Sequence, residues 1–205
     1  MITIWGRLNS HNVKKVAWAA IEMGIEHRRI DMGGAFGFTD DYLAMNPNRL
    51  IPTIEDDSVP GGFSLWESNA ILRYLADAHA PHLRPEAPAE RAQGDKWMDW
   101  QFTFAEAQRT AFQGIVRQGK DVNDPQVSAS IAATIKLAER FDAALGQTPF
   151  LAGKAFGIAD IPMGVYAYTF FTLPFERPSL PNMEDWYAGL TARPGYASQV
   201  MIPLS

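Results

Sequence analysis

The residues with chemistry to offer gather in one stretch, 46–74. Ile51-Pro52 stands just before an apolar-polar alternation, Thr53, Ile54, Glu55. A proline at the mouth of a strand removes a ladder donor and makes a cis X-Pro bond accessible, which leaves the backbone of Ile51 open to a partner. Glu67 and Ser68 close a second expected strand over 63–66 and open an expected helix over 69–78. A helix start presents free N–H groups to an anion. A free backbone edge, a carboxylate and a hydroxyl in this order suit an extended, peptide-like ligand whose middle residue pairs with Ile51. Its carboxylate would meet Ser68 and the helix start, and its ammonium Glu67. Taken singly, Pro52 shapes a turn and Ser68 caps a helix; the order and spacing of the set carry the reading.

Glutathione has that shape. The run I-P followed by W-E-S-N-A-I-L-R-Y-L resembles the glutathione-binding half of the glutathione S-transferase family. The opening W-G-R-x-N-S-x-N-V and the closing V-M-I-P-x-S resemble one bacterial subgroup of these transferases, and the similarity extends along nearly the whole chain. The resemblance implies glutathione as co-substrate, attack of its thiolate on a small electrophile, a detoxifying role and a homodimer. The rival reading is a non-catalytic glutathione- or ligand-binding adaptor that retains the fold, because fold does not settle function.

A thiol with a pKa near the ~8.5 of free cysteine is mostly protonated at neutral pH, and lowering it by two units requires roughly 2.7 kcal/mol in favour of the thiolate. The resemblance directs attention to the turn after the first strand, Gly6-Arg7-Leu8-Asn9-Ser10-His11-Asn12-Val13. Ser10 offers one O–H donor and Asn12 an amide N–H; neither is a strong base, so their role is to stabilise the anion. N-capping is the competing role for both. Arg7 in the same turn and Arg109 on a later helix, on a face that in this fold borders the second-substrate cleft, would favour an anionic electrophile such as a haloalkanoic acid. Alternatively Arg7 and Arg109 would help hold the glycyl carboxylate of glutathione, for which Arg49, beside the Ile51-Pro52 turn, is another candidate.

Composition narrows the alternatives. The 205 residues are 47% apolar and 20% charged, as expected of a globular chain, and the net charge of −5 argues against nucleic acid as the main partner. No cysteine is present, which rules out disulfides, thiolate metal sites and a protein thiol nucleophile, so any sulfur chemistry belongs to the substrate. The four histidines, His11, His27, His79 and His82, lack ligand spacing, and no metal is expected. Without a membrane-length apolar run or a basic leader followed by an apolar core, the expected location is the cytoplasm.

Around the site, the pattern predicts a strand at 2–5, a helix over 12–23 with Val13, Val16, Ala17, Ala20 and Ile21 as its core stripe, and a strand at 25–31. A short helix over 40–45 follows, then the two strands and helix above: an α/β thioredoxin-like domain over 1–79. Proline-rich 80–89 reads as a linker, and 90–205 as an all-helical domain contributing the electrophile cleft. Its helices are expected over 90–117, 124–145, 156–171 and 183–192, with a last one starting near Pro194. Gly157 stands where the family usually has Ser or Thr as a cap, with Asp160 placed to reach back to the Gly157 N–H. The ending QVMIPLS is expected to fold back on the domain.

Overall fold

A computed structural model describes residues 1–205. The chain opens as β1 (Ile2–Trp5), α1 (His11–Glu22) and β2 (His27–Ile30), with β1 and β2 parallel. Parallel neighbours need a crossover, and α1 supplies it. A 3₁₀ turn (Gly34–Phe36) leads to α2 (Asp40–Met45), which Thr39 caps by accepting the Tyr42 N–H. Then β3 (Thr53–Asp56) and β4 (Phe63–Trp66) join antiparallel, giving the order β2-β1-β3-β4, and α3 (Ser68–His79) packs beside α1. The mixed four-stranded sheet with its helices is the thioredoxin-like fold expected from the sequence.

The rest is helical: α4 (Pro88–Phe112), α5 (Pro125–Leu145), α6 (Asp160–Thr172), α7 (Pro181–Thr191) and α8 (Pro194–Gln199). Four of these begin on proline, whose missing N–H would be unsatisfied there anyway. Asp124 caps α5 by accepting the N–H groups of Gln126 and Val127 at 3.0 and 3.3 Å. Beyond Phe112, α4 widens into a π-helical turn, Gln113–Arg117, where an unbroken helix is expected. At the other end α4 starts at Pro88, inside the segment read as linker, which also holds a 3₁₀ turn at Pro81–Leu83.

One cluster of 34 buried residues runs from Ile2 and Ile4 of β1 through Trp18 of α1 to Phe141 of α5 and Phe170 of α6, so the two halves share a core. The sheet lies on one side of α1, and α3, α6 and α8 pack against it as well. Every residue from Val13 to Ala20 is therefore buried, including Lys14 and Lys15. This corrects the expected stripe: Ile21 is 37% exposed while Trp18 is fully enclosed. The pattern assumed one covered face, and α1 has several. Across this seam Arg193 holds Glu22 through two hydrogen bonds, at 3.0 and 2.6 Å.

The central helix α6 begins at Asp160, four residues later than the pattern suggests. Residues 157–159 are instead fixed to the earlier turn, where the Ile158 N–H donates to the Leu83 carbonyl at 3.0 Å. A Cβ on residue 157 would lie 2.7 Å from that same oxygen, and only glycine avoids the clash. The aspartate does reach back: Asp160 Oδ2 accepts the Gly157 N–H at 3.0 Å, and Oδ1 accepts Leu151 N–H at 3.1 Å and Trp186 Nε1–H at 2.9 Å. The C-terminal tail folds back as expected, tied by Lys14 Nζ to the Val200 carbonyl, Tyr168 hydroxyl to the Ile202 carbonyl, and Asn9 Nδ2 to Ser205 Oγ.

Candidate active site

Two adjoining cavities meet at Asn12, which lines both. The first is walled by Asn46, Asn48, Leu50, Ile51, Pro52, Trp66, Glu67 and Ser68. Its shape comes from the bend at Ile51-Pro52 and the turn at Glu67. The Ile51-Pro52 bond is cis, as anticipated, and the Ile51 N–H and C=O bond to no other backbone group. Behind this bend, Tyr42 hydroxyl and Asn46 Nδ2 both donate to the Leu50 carbonyl, at 2.5 and 3.0 Å, and both also contact Thr53 Oγ1. Glu67 has φ 73°, a left-handed value rare for a residue with a side chain, and it turns the chain sharply from β4 into α3. Such outliers persist where the surroundings enforce them, often at ligand sites. The Glu67 carboxylate is exposed and forms no ion pair, whereas Ser68 is buried at the first position of α3.

The second cavity, an open cleft of about 200 Å³, lies between the turn after β1 and the helices α4 and α6. Ser10 is the residue preceding α1, and its hydroxyl makes no capping bond, so it remains available as a donor. Asn12 Oδ1 accepts the Ser68 hydroxyl at 3.4 Å, which orients the amide and leaves Nδ2 to donate. His11, between them, is half-buried with its ring packed: Nε2 bonds Thr169 Oγ1 at 2.7 Å, Tyr166 stacks on the ring at 4.8 Å, and Phe112 meets it edge-on. Burial, reinforced by Lys14, Lys15 and Arg117, pushes its pKa down to about 3, so the ring is a neutral wall.

The guanidinium groups of Arg7, Arg109 and Arg117 all line this cleft, with no carboxylate among the lining residues. Arg7 Nη1 donates to Asn9 Oδ1 at 2.6 Å, while its Nε is buried without a partner. Burial first, then the nearby charge of Arg117, lowers its affinity for its proton. Arg109 and Arg117 are both exposed; the Arg109 side chain is 64% exposed and pairs with Glu106 at 3.4 Å. Arg117, which sequence reasoning missed, sits on the π turn with its guanidinium over Phe112 at 5.4 Å. A regular helix run on unbroken through 117 gives that side chain a direction set by its period, and the widened turn, which no simple periodicity encodes, changes it.

The structure thus brings Ile51, Pro52, Glu67 and Ser68 together on one wall, and Ser10, Asn12, Arg7 and Arg109 on the next. Arg49 is not brought in: it is exposed, has φ 56°, and places its guanidinium 6.0 Å over Phe38 instead of among the lining residues. No group of three or more His, Cys, Asp or Glu side chains is arranged to hold a metal ion, and no helix is long and apolar enough to cross a membrane.

With this geometry in hand, similarity to known proteins is informative. Residues 9–78 match the glutathione S-transferase N-terminal domain. Over the full length of both chains the sequence is 40% identical to Glutathione S-transferase GstB of Escherichia coli. It is 48% identical to the theta class glutathione S-transferase from Xanthomonas axonopodis pv. citri, solved with glutathione bound, with a TM-score of 0.91 over 100% of this chain and 99% of that one. A more distant similarity, 26% over 89% of this chain and 87% of the other, is to the Escherichia coli disulfide-bond oxidoreductase YfcG. Full-length identity at this level, on a fold and a cleft already of the right kind, establishes that the chain belongs to the glutathione S-transferase family.

Proposed function

We propose that this transferase binds glutathione along the Ile51–Ser68 wall, holds its sulfur as the thiolate at Ser10 and Asn12, and joins it to small electrophiles, preferentially anionic ones. The observation that carries the reading is the position of Asn12, shared by a cavity with peptide-binding features and a cleft lined by guanidinium groups. Ile51 offers its free backbone to the cysteinyl residue, Ser68 and the first N–H groups of α3 receive the γ-glutamyl carboxylate, and Glu67 receives the ammonium. Arg7 is the candidate for the glycyl carboxylate or for the second substrate; the position of Arg49, over Phe38, speaks against it for the glycyl carboxylate. The Ser/Asn turn favours the bacterial subgroup, and family membership favours a cytoplasmic homodimer with a glutathione-binding domain over 1–79 and an electrophile-binding domain over 90–205.

The chemistry follows from the donors. Ser10 Oγ–H and Asn12 Nδ2–H, at the positive end of α1, stabilise S⁻ over SH, and the charges of Arg7 and Arg117 act in the same direction. Neither Ser10 nor Asn12 is a strong base, so the thiol proton leaves to solvent. The thiolate then attacks carbon, the C–S bond forms as the carbon–halogen bond breaks, and halide departs with the bonding electrons. His11 takes no proton in this scheme, because its ring is packed, bonded to Thr169 and held neutral.

The test is halide release and conjugate formation from a panel of haloacids, haloamides and haloaromatics, with and without glutathione. Glutathione-dependent turnover with haloacids preferred supports the reading. Tight glutathione binding with no turnover of any electrophile would favour the non-catalytic alternative.

A further inference from the structure

We propose that Lys15 is a positioning residue for the carboxylate end of glutathione: its buried ammonium, directly behind Ser68, aims the Ser68 hydroxyl at the ligand and adds positive charge there. The proposal rests on the binding mode above and extends it to a residue outside both cavities. Lys15 is 0% exposed. Its Nζ donates to Gln101 Oε1 at 2.5 Å and, at 3.4 Å, to Ser68 Oγ and Asn69 Oδ1. These acceptors are all neutral. An ammonium enclosed with no carboxylate in contact is unfavourable, and an apolar side chain of similar volume would suit a purely structural role better.

The geometry gives the charge a purpose. A hydroxyl has one proton and two lone pairs. With Lys15 donating to one lone pair, the Ser68 proton must point away from Nζ, and it does so toward Asn12 Oδ1 at 3.4 Å. That contact is long and readily given up to an incoming carboxylate at the start of α3. The ligand's negative charge would then sit one side chain away from the ammonium.

The groups facing Lys15 are few. Glu67 stands at the start of α3; α4 contributes Gln101 and the Phe102 ring at 5.5 Å; α6 contributes the Tyr166 ring at 5.6 Å, with its hydroxyl pushed up to about 12 by burial. On α1 itself, His11 is neutral and Lys14 turns to the Val200 carbonyl. Burial lowers Lys15 to about 7, with Glu67 pulling the other way. A docked carboxylate favours the ammonium, so ligand binding raises this pKa and takes up a proton in the range from neutral to mildly alkaline pH.

Calorimetry with S-methylglutathione, which has no thiol proton to release, reads this directly. Titrations of the wild-type protein at about pH 7.5, in buffers of different ionisation enthalpy, should show uptake of roughly half a proton per site. Lys15→Met should abolish the uptake and weaken S-methylglutathione at least tenfold, while leaving unchanged the affinity for an analogue that lacks the γ-glutamyl carboxylate. A merely structural lysine would weaken both ligands alike. Binding to wild type without proton uptake, or equal weakening of both ligands, overturns the proposal and leaves the binding mode intact; the wild-type measurement decides even if Lys15→Met does not fold. Failure of S-methylglutathione to bind wild type at all would overturn the binding mode as well.

Discussion

Ser68 donates its hydroxyl to Asn12 Oδ1 at 3.4 Å, and this single contact links the wall that receives a peptide-like ligand to the turn that receives its sulfur. In the free protein it also orients Asn12 before a ligand carboxylate takes over the Ser68 hydroxyl. With Oδ1 occupied, the amide turns Nδ2 outward as a donor, beside a Ser10 hydroxyl that caps nothing. Replacing either by Ala should raise the pKa of bound glutathione, followed by thiolate absorbance in the ultraviolet. A hydrogen bond to a charged group contributes about 1.5–3 kcal/mol, so each loss should move the titration upward by roughly one to two units. An unmoved titration in the double variant would return both residues to a structural role.

Glu67 is the cleaner test of the other wall, because its carboxylate is exposed and bonds to nothing in the chain. Its neutral isostere should leave the fold alone. Glu67→Gln should weaken glutathione by about tenfold or more, the loss of a charge-assisted contact with the ammonium, with the thermal midpoint nearly unchanged. Wild-type affinity by calorimetry would remove Glu67 from the site.

Much of this arrangement was legible in the sequence, and the reasons differ residue by residue. Ile51-Pro52 and Glu67-Ser68 are local devices, a proline bend and a helix start, and local devices survive translation into structure. Periodicity worked where a helix has one covered face, as in α5. It failed on α1, where Lys15 is enclosed by residues brought from α3, α4 and α6, more than fifty positions away. Arg117 was lost to the π turn, and the start of α6 to a carbonyl at Leu83 that no neighbouring residue announces.

That carbonyl makes a prediction about stability. By capping preference alone, Ser at position 157 would be favourable. The structure reverses the sign, since its Cβ would lie 2.7 Å from backbone oxygen that cannot swing aside. Gly157→Ser should lower the unfolding free energy by about 1–3 kcal/mol, and Asp160→Ala, which strands three buried N–H donors, by about 3–5 kcal/mol. Denaturant unfolding of both variants would check the pair; a stabilised Gly157→Ser would show that the turn relaxes.

His11 sets an acid limit. Its pKa is about 3 in the folded chain, lowered by burial and nearby cations, against ~6.5 unfolded. Between these values the unfolded state binds the extra proton, so stability rises with pH and is lost as pH falls below ~6.5, by up to about 1.4 kcal/mol per unit. Asp160 opposes this, because burial raises it to about 6: its contribution is present below its unfolded pKa and is lost as pH rises toward 6. The comparison must therefore be made against a variant. Relative to wild type, His11→Gln should show a flatter loss of unfolding free energy between about pH 6 and pH 4. Parallel curves would mean that His11 is charged in the folded state.

Arg117 and Arg109 allow the preference for anions to be divided between two positions. Both line the cleft, and both carry a guanidinium that stays charged at any working pH. Their surroundings differ. Both are exposed, but Arg109 is already paired with Glu106, and an exposed charge that must give up such a pair contributes about 0–1 kcal/mol. Arg117 rests over Phe112 close enough to Arg7 to lower its proton affinity, and like charges facing one cleft are relieved by an anion between them. Wild-type protein should therefore turn over a haloacetate faster than the corresponding neutral haloacetamide, after correction for the uncatalysed rates. Arg117→Gln should reduce that ratio roughly ten- to a hundredfold, through the haloacetate's kcat/KM, as expected for a contact of about 1.5–3 kcal/mol. Arg109→Gln should change it less than about fivefold. If Arg109→Gln has the larger effect, Glu106 releases its partner when substrate enters and Arg109 is the recruiter. If neither variant alters the ratio, the cleft does not select for charge, while the glutathione wall built on Ile51, Glu67 and Ser68 is untouched by the result.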